Sequence, residues 1–213
     1  MKTETMTVHE ALSEIKVASK RITGTLMEMS VVTANRKNAT KINGIEPEKF
    51  NAQAKADFQS ITDLWKRLTA MKAAIATYNA SQKITVGDKE YTIAEAIYMK
   101  EYGIPLKQTI VHTLNKQYQN AVNKVTVENS DSKLGATAER LAISTFGSKD
   151  KADSVEVEKF IATYKENNQH VLIDPINIKA VITEFQSEID AFEAKVDSAI
   201  QIANATHTIT IEY

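Results

Sequence analysis

The sequence predicts an all-α protein built of long antiparallel helical hairpins, a coiled-coil-like bundle, with one small β element. Only 6 Gly and 3 Pro interrupt the 213 residues, which favours long helices over a fold with many turns. Apolar residues recur every three or four positions through several long stretches, which is the spacing of one helix face. We expect the β element to form where residues 83–86 pair with residues 208–212.

The first helix is predicted over about residues 8–34. Thr7 and Glu10 form a capping box, in which each side chain binds a free backbone N–H at the start of the helix. An apolar stripe follows, made of Val8, Leu12, Ile15, Ile22, Leu26 and Met29. The polar and basic run 35–44 ends in Asn-Gly, which is typical of a connection between helices.

The second helix is predicted from Pro47 to Asn79, because Pro suits the first turn of a helix and Asn tolerates the left-handed conformation that ends one. Its apolar stripe consists of Phe50, Ala54, Phe58, Ile61, Trp65, Leu68 and Ile75. At 1.5 Å per residue this helix would extend about 50 Å. One short partner cannot cover so long a stripe, so we expect a homo-oligomer.

A short hairpin is predicted next. Residues 83–86 alternate as a strand does, Gly87-Asp88 is predicted to turn, and residues 89–91 are predicted to return as a second short strand. A second capping box, Thr92 with Glu95, then begins a third helix that is predicted to run to about Glu128.

The rest of the chain is less regular. Gly103 and Pro105 are expected to kink the third helix near its start. Residues 129–175 are predicted to be an irregular insert of short helices. We predict short helices at about 133–145 and 154–167 with a loop at 147–150, a last long helix at about 177–203, and a strand at 208–212.

An internal repeat organises these elements. Residues 74–86 align without gaps with residues 199–211, and six of the thirteen positions are identical. The two capping-box segments also match. We therefore predict a single elongated helical domain over residues 1–213, with copies at about 7–86 and 92–213.

Composition narrows the range of partners. The formal net charge is −1, so the overall field gives no reason to expect nucleic acid or an anionic membrane as a main partner. No stretch approaches the roughly 18 apolar residues of a membrane span, and the first residues lack the apolar core of a signal peptide. The absence of Cys fits a reducing compartment. We expect a cytoplasmic protein.

No catalytic or cofactor motif is recognisable. The four His residues have no metal-ligand spacing, the six Gly residues are too scattered to form a phosphate loop, and no Gly-x-Ser-x-Gly elbow is present. The sequence therefore predicts a protein that is not an enzyme and that holds no cofactor, no metal and no catalytic residue.

Basic residues supply the candidate ligand site. In an oligomer, side chains from the helix ends could converge on a small anionic ligand, with Arg making bidentate contacts to phosphate. The candidate residues are Arg36, Lys37, Lys41, Lys66, Arg67, Asn79 and Lys83. The alternative interpretation is that these charges are solvated and keep the bundle soluble.

Several segments resemble the septicolysin-like, deflagellation-inducible family of small coiled-coil proteins. They are residues 64–68, 74–75, 79–80 and 91–97 and the helix end at 204–206. Longer look-alikes, encoded by phages of Gram-positive bacteria, share the run 58–61 and the box 92–97. The resemblance covers roughly residues 8–128 and 170–213, and it implies an antiparallel helical hairpin fold and a phage origin.

Three functions agree with these observations. The first is a phage-encoded oligomeric protein that sequesters a small anionic molecule, such as a nucleotide signal of host immunity, without converting it. The second is a virion structural or assembly protein. The third is an inhibitor that binds a host protein through exposed helix faces.

Overall fold

The computed structural model describes residues 2–147 and 154–213 and confirms an all-α fold with a small β element. Over these residues the elements are β1 Thr3–Thr7, α1 Val8–Glu28, α2 Pro47–Ser81, β2 Lys83–Val86, β3 Lys89–Thr92, α3 Ile93–Tyr98, α4 Ile104–Glu128, α5 Ala136–Phe146, α6 Ser154–Asn168, α7 Ile178–Glu193, α8 Val196–Thr206 and β4 Thr208–Glu212. Two π-helical turns, Met99–Gly103 and Asp131–Gly135, precede α4 and α5.

The chain divides into two compact units. The first contains Met1–Glu101 and Ala191–Tyr213, and the second contains Tyr102–Asp190. The second unit is therefore inserted in the sequence of the first. This division does not follow the two copies expected from the sequence, and the single elongated domain with two copies stays a prediction.

The expected pairing of residues 83–86 with 208–212 is wrong. β2 pairs with β3 and β4 pairs with β1, both antiparallel, in separate two-stranded sheets. The Gly87-Asp88 turn brings β3 beside β2 directly, which closes a far shorter loop than a pairing with β4 would. The place beside β4 is taken by Thr3–Thr7, a short polar segment whose sequence does not mark it as a strand.

The first unit has an apolar core between its helices and strands. α1 packs along α2, and α8 packs on α1. The most deeply buried side chains of this core are Val8, Ala11, Met71, Ile93, Ala96, Val196 and Ile211. α1 ends at Glu28, earlier than the predicted residue 34, because the β-branched run 31–33 that follows favours extended backbone.

The second unit contains an antiparallel helical hairpin. The Lys107 Nζ atom lies 4.6 Å from the centre of the Phe185 ring, and Lys107 also forms an ion pair with Glu188. At the start of α7, the Lys179 Nζ atom lies 5.0 Å from the centre of the Tyr118 ring, and Tyr118 is later on α4 than Lys107. Later residues of α4 therefore contact earlier residues of α7. The two helices thus lie side by side and antiparallel, as the sequence predicts.

Two long helices are interrupted. The predicted kink near Gly103 and Pro105 coincides with the π-helical turn between α3 and α4. The last helix, predicted as continuous, is broken by a turn at residues 194–195. Phe192 and Val196 are buried on either side of this break, so packing overrides the continuous helical stripe.

The predicted insert contains the expected short helices. α5 and α6 begin and end within three residues of the predicted ranges 133–145 and 154–167. Gly147 ends α5. The rest of the predicted loop, residues 148–150, lies outside the described residues.

Candidate ligand pocket

A pocket of about 630 Å³ opens in the second unit, where the end of α4, the turn Asp131–Gly135, α5 and α6 meet. Its size is in the range of small-molecule sites, which is about 300–1,000 Å³. Its polar lining residues are Glu128, Ser132, Lys133, Thr137, Arg140, Tyr164, Asn168 and His170.

Side-chain to backbone hydrogen bonds hold two of these residues in place. The His170 N–H donates to Asn129 Oδ1 at 2.7 Å, and Asn129 Nδ2 donates to the His170 carbonyl at 2.8 Å. These two hydrogen bonds tie the segment after α6 to the end of α4. Asn168 Nδ2 donates to the Tyr164 carbonyl at 2.9 Å and so extends the end of α6.

The helix α5 supplies the arginine. Thr137 and Arg140 are three residues apart, so they lie on the same face of this helix. The opposite face carries Ala138 and Ala142, which are 0% and 2% exposed. Small buried residues on one side and polar residues on the other fix which side of α5 lines the pocket.

The charges in the pocket are not balanced. Lys133 Nζ lies 2.8 Å from Glu128 Oε1, and this hydrogen bond is the largest cause that lowers the pKa of the Glu128 carboxyl below its usual value. Lys133 and Glu128 therefore neutralise each other. The side chain of Arg140 is exposed and has no hydrogen-bond or ion-pair partner within residues 2–147 and 154–213. One guanidinium group is thus available to an anion.

The charged groups of the pocket set what chemistry its described residues can support. A carboxyl with a lowered pKa stays ionised near neutral pH and is a weak base, so Glu128 is poorly suited to take a proton. In the described part of the chain, no group of three His, Asp or Glu side chains is placed to hold a metal ion. What the pocket presents is a cation, hydrogen-bonding groups and an aromatic ring.

The structure gives the predicted ligand residue Arg67 other partners. Its Nη2 atom lies 2.7 Å from Glu4 Oε2 and its Nη1 atom lies 2.5 Å from Glu14 Oε2. The Tyr213 hydroxyl donates to the other oxygen of Glu4 at 2.5 Å. Two carboxylates thus balance the charge of Arg67, so within this chain it connects β1, α1 and α2 and has little charge left for an anion.

The other predicted ligand residues lie before, on and just after α2. Arg36, Lys37 and Lys41 are exposed in the connection before this helix, and Lys66 is exposed beside Arg67. Asn79 is half-buried in the last turns of α2, and Lys83 Nζ lies 3.2 Å from Glu90 Oε2.

The length of α2 separates these residues. Arg67 lies about 21 Å of helix before Ser81, the last residue of α2, and Lys83 lies beyond that end. One chain therefore does not gather all seven residues in one small-molecule pocket. Their convergence in an oligomer stays a prediction.

The residues of the pocket were missed because they lie in the segment expected to be irregular. A usable signal is present there: Thr137 with Arg140 and Tyr164 with Asn168 have the spacing of one helix face. The proximity of α5, α6 and residue 170 depends on packing across the insert, which spacing along the chain does not reveal.

A comparison with known protein families, with curated proteins and with solved structures finds no match to this chain. None of the described helices combines the length and the apolar character that crossing a membrane requires.

Proposed function

We propose that this protein binds a small anionic molecule in the pocket around Arg140 and releases it unchanged. The observation that carries the proposal is the arginine without an ionic partner among the described residues, beside a neutralised Lys133–Glu128 pair. Guanidinium groups bind phosphate through two parallel hydrogen bonds, so a phosphate is the anion that suits Arg140 best.

A nucleotide is the ligand class that uses the whole pocket. The Tyr164 ring offers a stacking surface for a base, and Asn168, Ser132 and Thr137 offer hydrogen bonds to a sugar or a base edge. The volume of about 630 Å³ suits a ligand of this size.

The biological setting that we propose is an anti-defence protein of a phage. The resemblance of residues 58–61 and 92–97 to phage-encoded coiled-coil proteins supports a phage origin. A protein that binds a nucleotide signal of host immunity and does not convert it would act as a sponge in the cytoplasm of the infected cell. Exposed apolar side chains such as Val32 and Trp65, 84% and 58% exposed, support assembly into a homo-oligomer.

The binding test is isothermal titration of the full chain with inorganic phosphate, AMP, cyclic nucleotides and ADP-ribose. We expect heat with at least one nucleotide, and mass spectrometry should recover that nucleotide unchanged. Because a charged hydrogen bond contributes about 1.5–3 kcal/mol, Arg140→Gln should weaken binding at least about tenfold.

Arg36→Gln is the matched control, because it removes an exposed arginine far from the pocket in sequence. If Arg36→Gln lowers the affinity and Arg140→Gln leaves it unchanged, the binding site lies among the basic residues of the first unit and not at Arg140. No heat with any compound would reject the binding function.

A virion structural or assembly protein is the second candidate. Phe58, Trp65 and Met27 are 61%, 58% and 82% exposed on the first helical hairpin, which is more apolar surface than a protein that acts alone usually exposes. Absence of ligand binding together with this chain in purified virions would favour assembly. The same surface would serve an inhibitor that binds a host protein.

A further inference from the structure

Both strand pairs join residues of one half of the chain to residues of the other half. The predicted copies, about 7–86 and 92–213, are extended here to include the strand before each capping box, so that copy one is residues 3–86 and copy two is residues 89–212. β1 and β2 belong to copy one, whereas β3 and β4 belong to copy two. Since β1 pairs with β4 and β2 pairs with β3, each of these four strands has its partner in the other copy.

The two pairs have the same register. Thr7 lies opposite Thr208, and their aligned equivalents Thr92 and Lys83 also lie opposite each other. The agreement extends along the ladder, since Ile84 faces Tyr91 as Ile209 faces residue 6. The pair of β1 and β4 thus has the register of the β2–β3 hairpin, but no turn connects its two strands.

The junctions between strands and helices are also the same. The Ile93 N–H donates to the Gln82 carbonyl at 3.0 Å, and the aligned Val8 N–H donates to the His207 carbonyl at 3.1 Å. In both places this bond links the start of a capped helix to the residue that follows the end of another helix. Chance similarity of sequence does not account for equal hydrogen bonds at aligned positions.

Aligned side chains are buried to the same degree. Ile84 and Val86 of β2 are 9% and 3% exposed, and Ile209 and Ile211 of β4 are 7% and 2% exposed. The side chains of each copy are covered partly by the other, because α1 packs on α8, α2 packs on α3, and β4 packs on α2. This reciprocal packing has the form of an interface between two subunits related by a twofold axis.

A two-residue turn connects the copies. Gly87 has φ +65°, and Gly at the first central position with positive φ is typical of a type II′ hairpin turn. All other contacts between the copies are non-covalent. The Gly87-Asp88 turn therefore links two copies that share their strand register and their strand–helix junctions.

We propose that a second copy of this chain is a binding partner through exchange of these halves. Copy one of each chain then pairs with copy two of the other chain, and β2 and β3 of each chain continue as one extended strand. The exchanged dimer contains the same strand pairs and the same buried side chains as the single chain. The balance between the two is therefore set by the turn and by protein concentration.

Disulfide trapping tests this exchange, because the natural chain contains no Cys. Thr5 and Thr210 are opposite each other, and their hydroxyl oxygens are 3.0 Å apart. Thr5→Cys and Thr210→Cys are made in separate chains, which are unfolded together, refolded at high concentration and oxidised. A disulfide between positions 5 and 210 of different chains forms where β1 of one chain pairs with β4 of the other.

Strain in the closed turn should increase the population of the exchanged dimer. Gly87→Val places a β-branched residue at positive φ, which destabilises the closed turn but not an extended one, so we expect about tenfold more cross-chain disulfide. Gly24→Val is the matched control, since Gly24 lies on α1 without close neighbours and has no positive φ. The pair Thr5→Cys with Thr77→Cys measures random collision between exposed positions.

The outcomes separate clearly. Cross-chain disulfide above the collision level, increased by Gly87→Val and not by Gly24→Val, supports exchange. The double variant Thr5→Cys/Thr210→Cys should form the bond within one chain and so shows that the geometry is competent. If this variant oxidises while the mixed single variants stay at the collision level, including with Gly87→Val in a folded chain, exchange is rejected.

Discussion

At the scale of single residues, one polar cluster joins both ends of the chain to the first helical hairpin. Glu4 on β1 accepts hydrogen bonds from Arg67 on α2 and from the hydroxyl of Tyr213. The Arg67 guanidinium also lies 5.9 Å from the centre of the Tyr213 ring, which is within reach of a cation–π interaction. Arg67, one of the seven residues predicted to bind a ligand, thus makes structural contacts within this chain.

This cluster predicts a dependence of stability on pH. The hydrogen bond from Tyr213 first, and the one from Arg67 second, hold the pKa of the Glu4 carboxyl below its ordinary value of 4.5. A carboxyl with a lowered folded-state pKa contributes stability that is complete above 4.5 and is lost as pH falls through the folded value. Tyr213→Phe removes the largest cause, so it should reduce this contribution.

The measurement is the midpoint of thermal unfolding of the wild type and of Tyr213→Phe between neutral pH and pH well below 4.5. We expect the variant to be less stable at neutral pH and the difference to shrink as the solution becomes acidic. The pKa values of Glu10 and Glu95 are also lowered by hydrogen bonds, but both residues are present in both proteins. Their contributions therefore cancel in the difference between the two thermal midpoints. A difference that is constant across this range would contradict the assignment.

At the scale of elements, capping boxes are the local signals that the sequence predicts best. The Glu10 N–H donates to Thr7 Oγ1 at 3.1 Å, and the Glu95 N–H donates to Thr92 Oγ1 at 3.2 Å. Both boxes are complete, since each Glu also accepts from the backbone N–H of its Thr. Such signals are readable because they need only four consecutive residues.

Removal of one cap should therefore have a measurable cost. We expect Thr92→Ala to lower the free energy of unfolding by about 1 kcal/mol, because the Glu95 N–H loses its acceptor. Thr92→Ser retains a hydroxyl at this position and should stay close to the wild type. Urea unfolding of the three proteins checks this order, and equal loss in both variants would show that the methyl group rather than the cap matters.

Elements that depend on distant partners were predicted less well. The hairpin of β2 and β3 follows from its turn residues, whereas β1 is a polar segment that becomes a strand because β4 lies beside it. The break at residues 194–195 likewise follows from the buried positions of Phe192 and Val196 and not from helix propensity. The pocket residues shared this limitation, because α5, α6 and residue 170 are brought together only by packing.

At the scale of the whole molecule, the first and last residues described are hydrogen-bonded to each other. The Lys2 N–H donates to the Tyr213 carbonyl at 2.8 Å, and the Tyr213 N–H donates to the Lys2 carbonyl at 3.1 Å. These bonds lie one residue pair beyond Thr3 and Glu212, which align with the Gly87-Asp88 turn of the equivalent hairpin. Either pair of strands can therefore be the one that carries the connection.

A circular permutant tests this equivalence. Residue 213 is joined to residue 1 by a short Gly-Asp linker, and new ends are opened between Gly87 and Asp88. Because every strand pair and buried contact is retained, we expect a folded protein whose thermal midpoint stays within a few degrees of the wild type, as termini that lie close together usually permit. The same joining with new ends inside α2 should unfold the protein and is the control.

The duplicated framework and the pocket occupy different parts of the chain. The strand pairs and capping boxes lie in the unit that contains both ends, whereas all residues around Arg140 lie in residues 102–190. In copy one only residues 29–46 connect the two helices of the hairpin, so α5 and α6 have no counterpart there. Under the function proposed for the pocket, substitutions around Arg140 would therefore change which anion is bound without disturbing the pairing of the two halves.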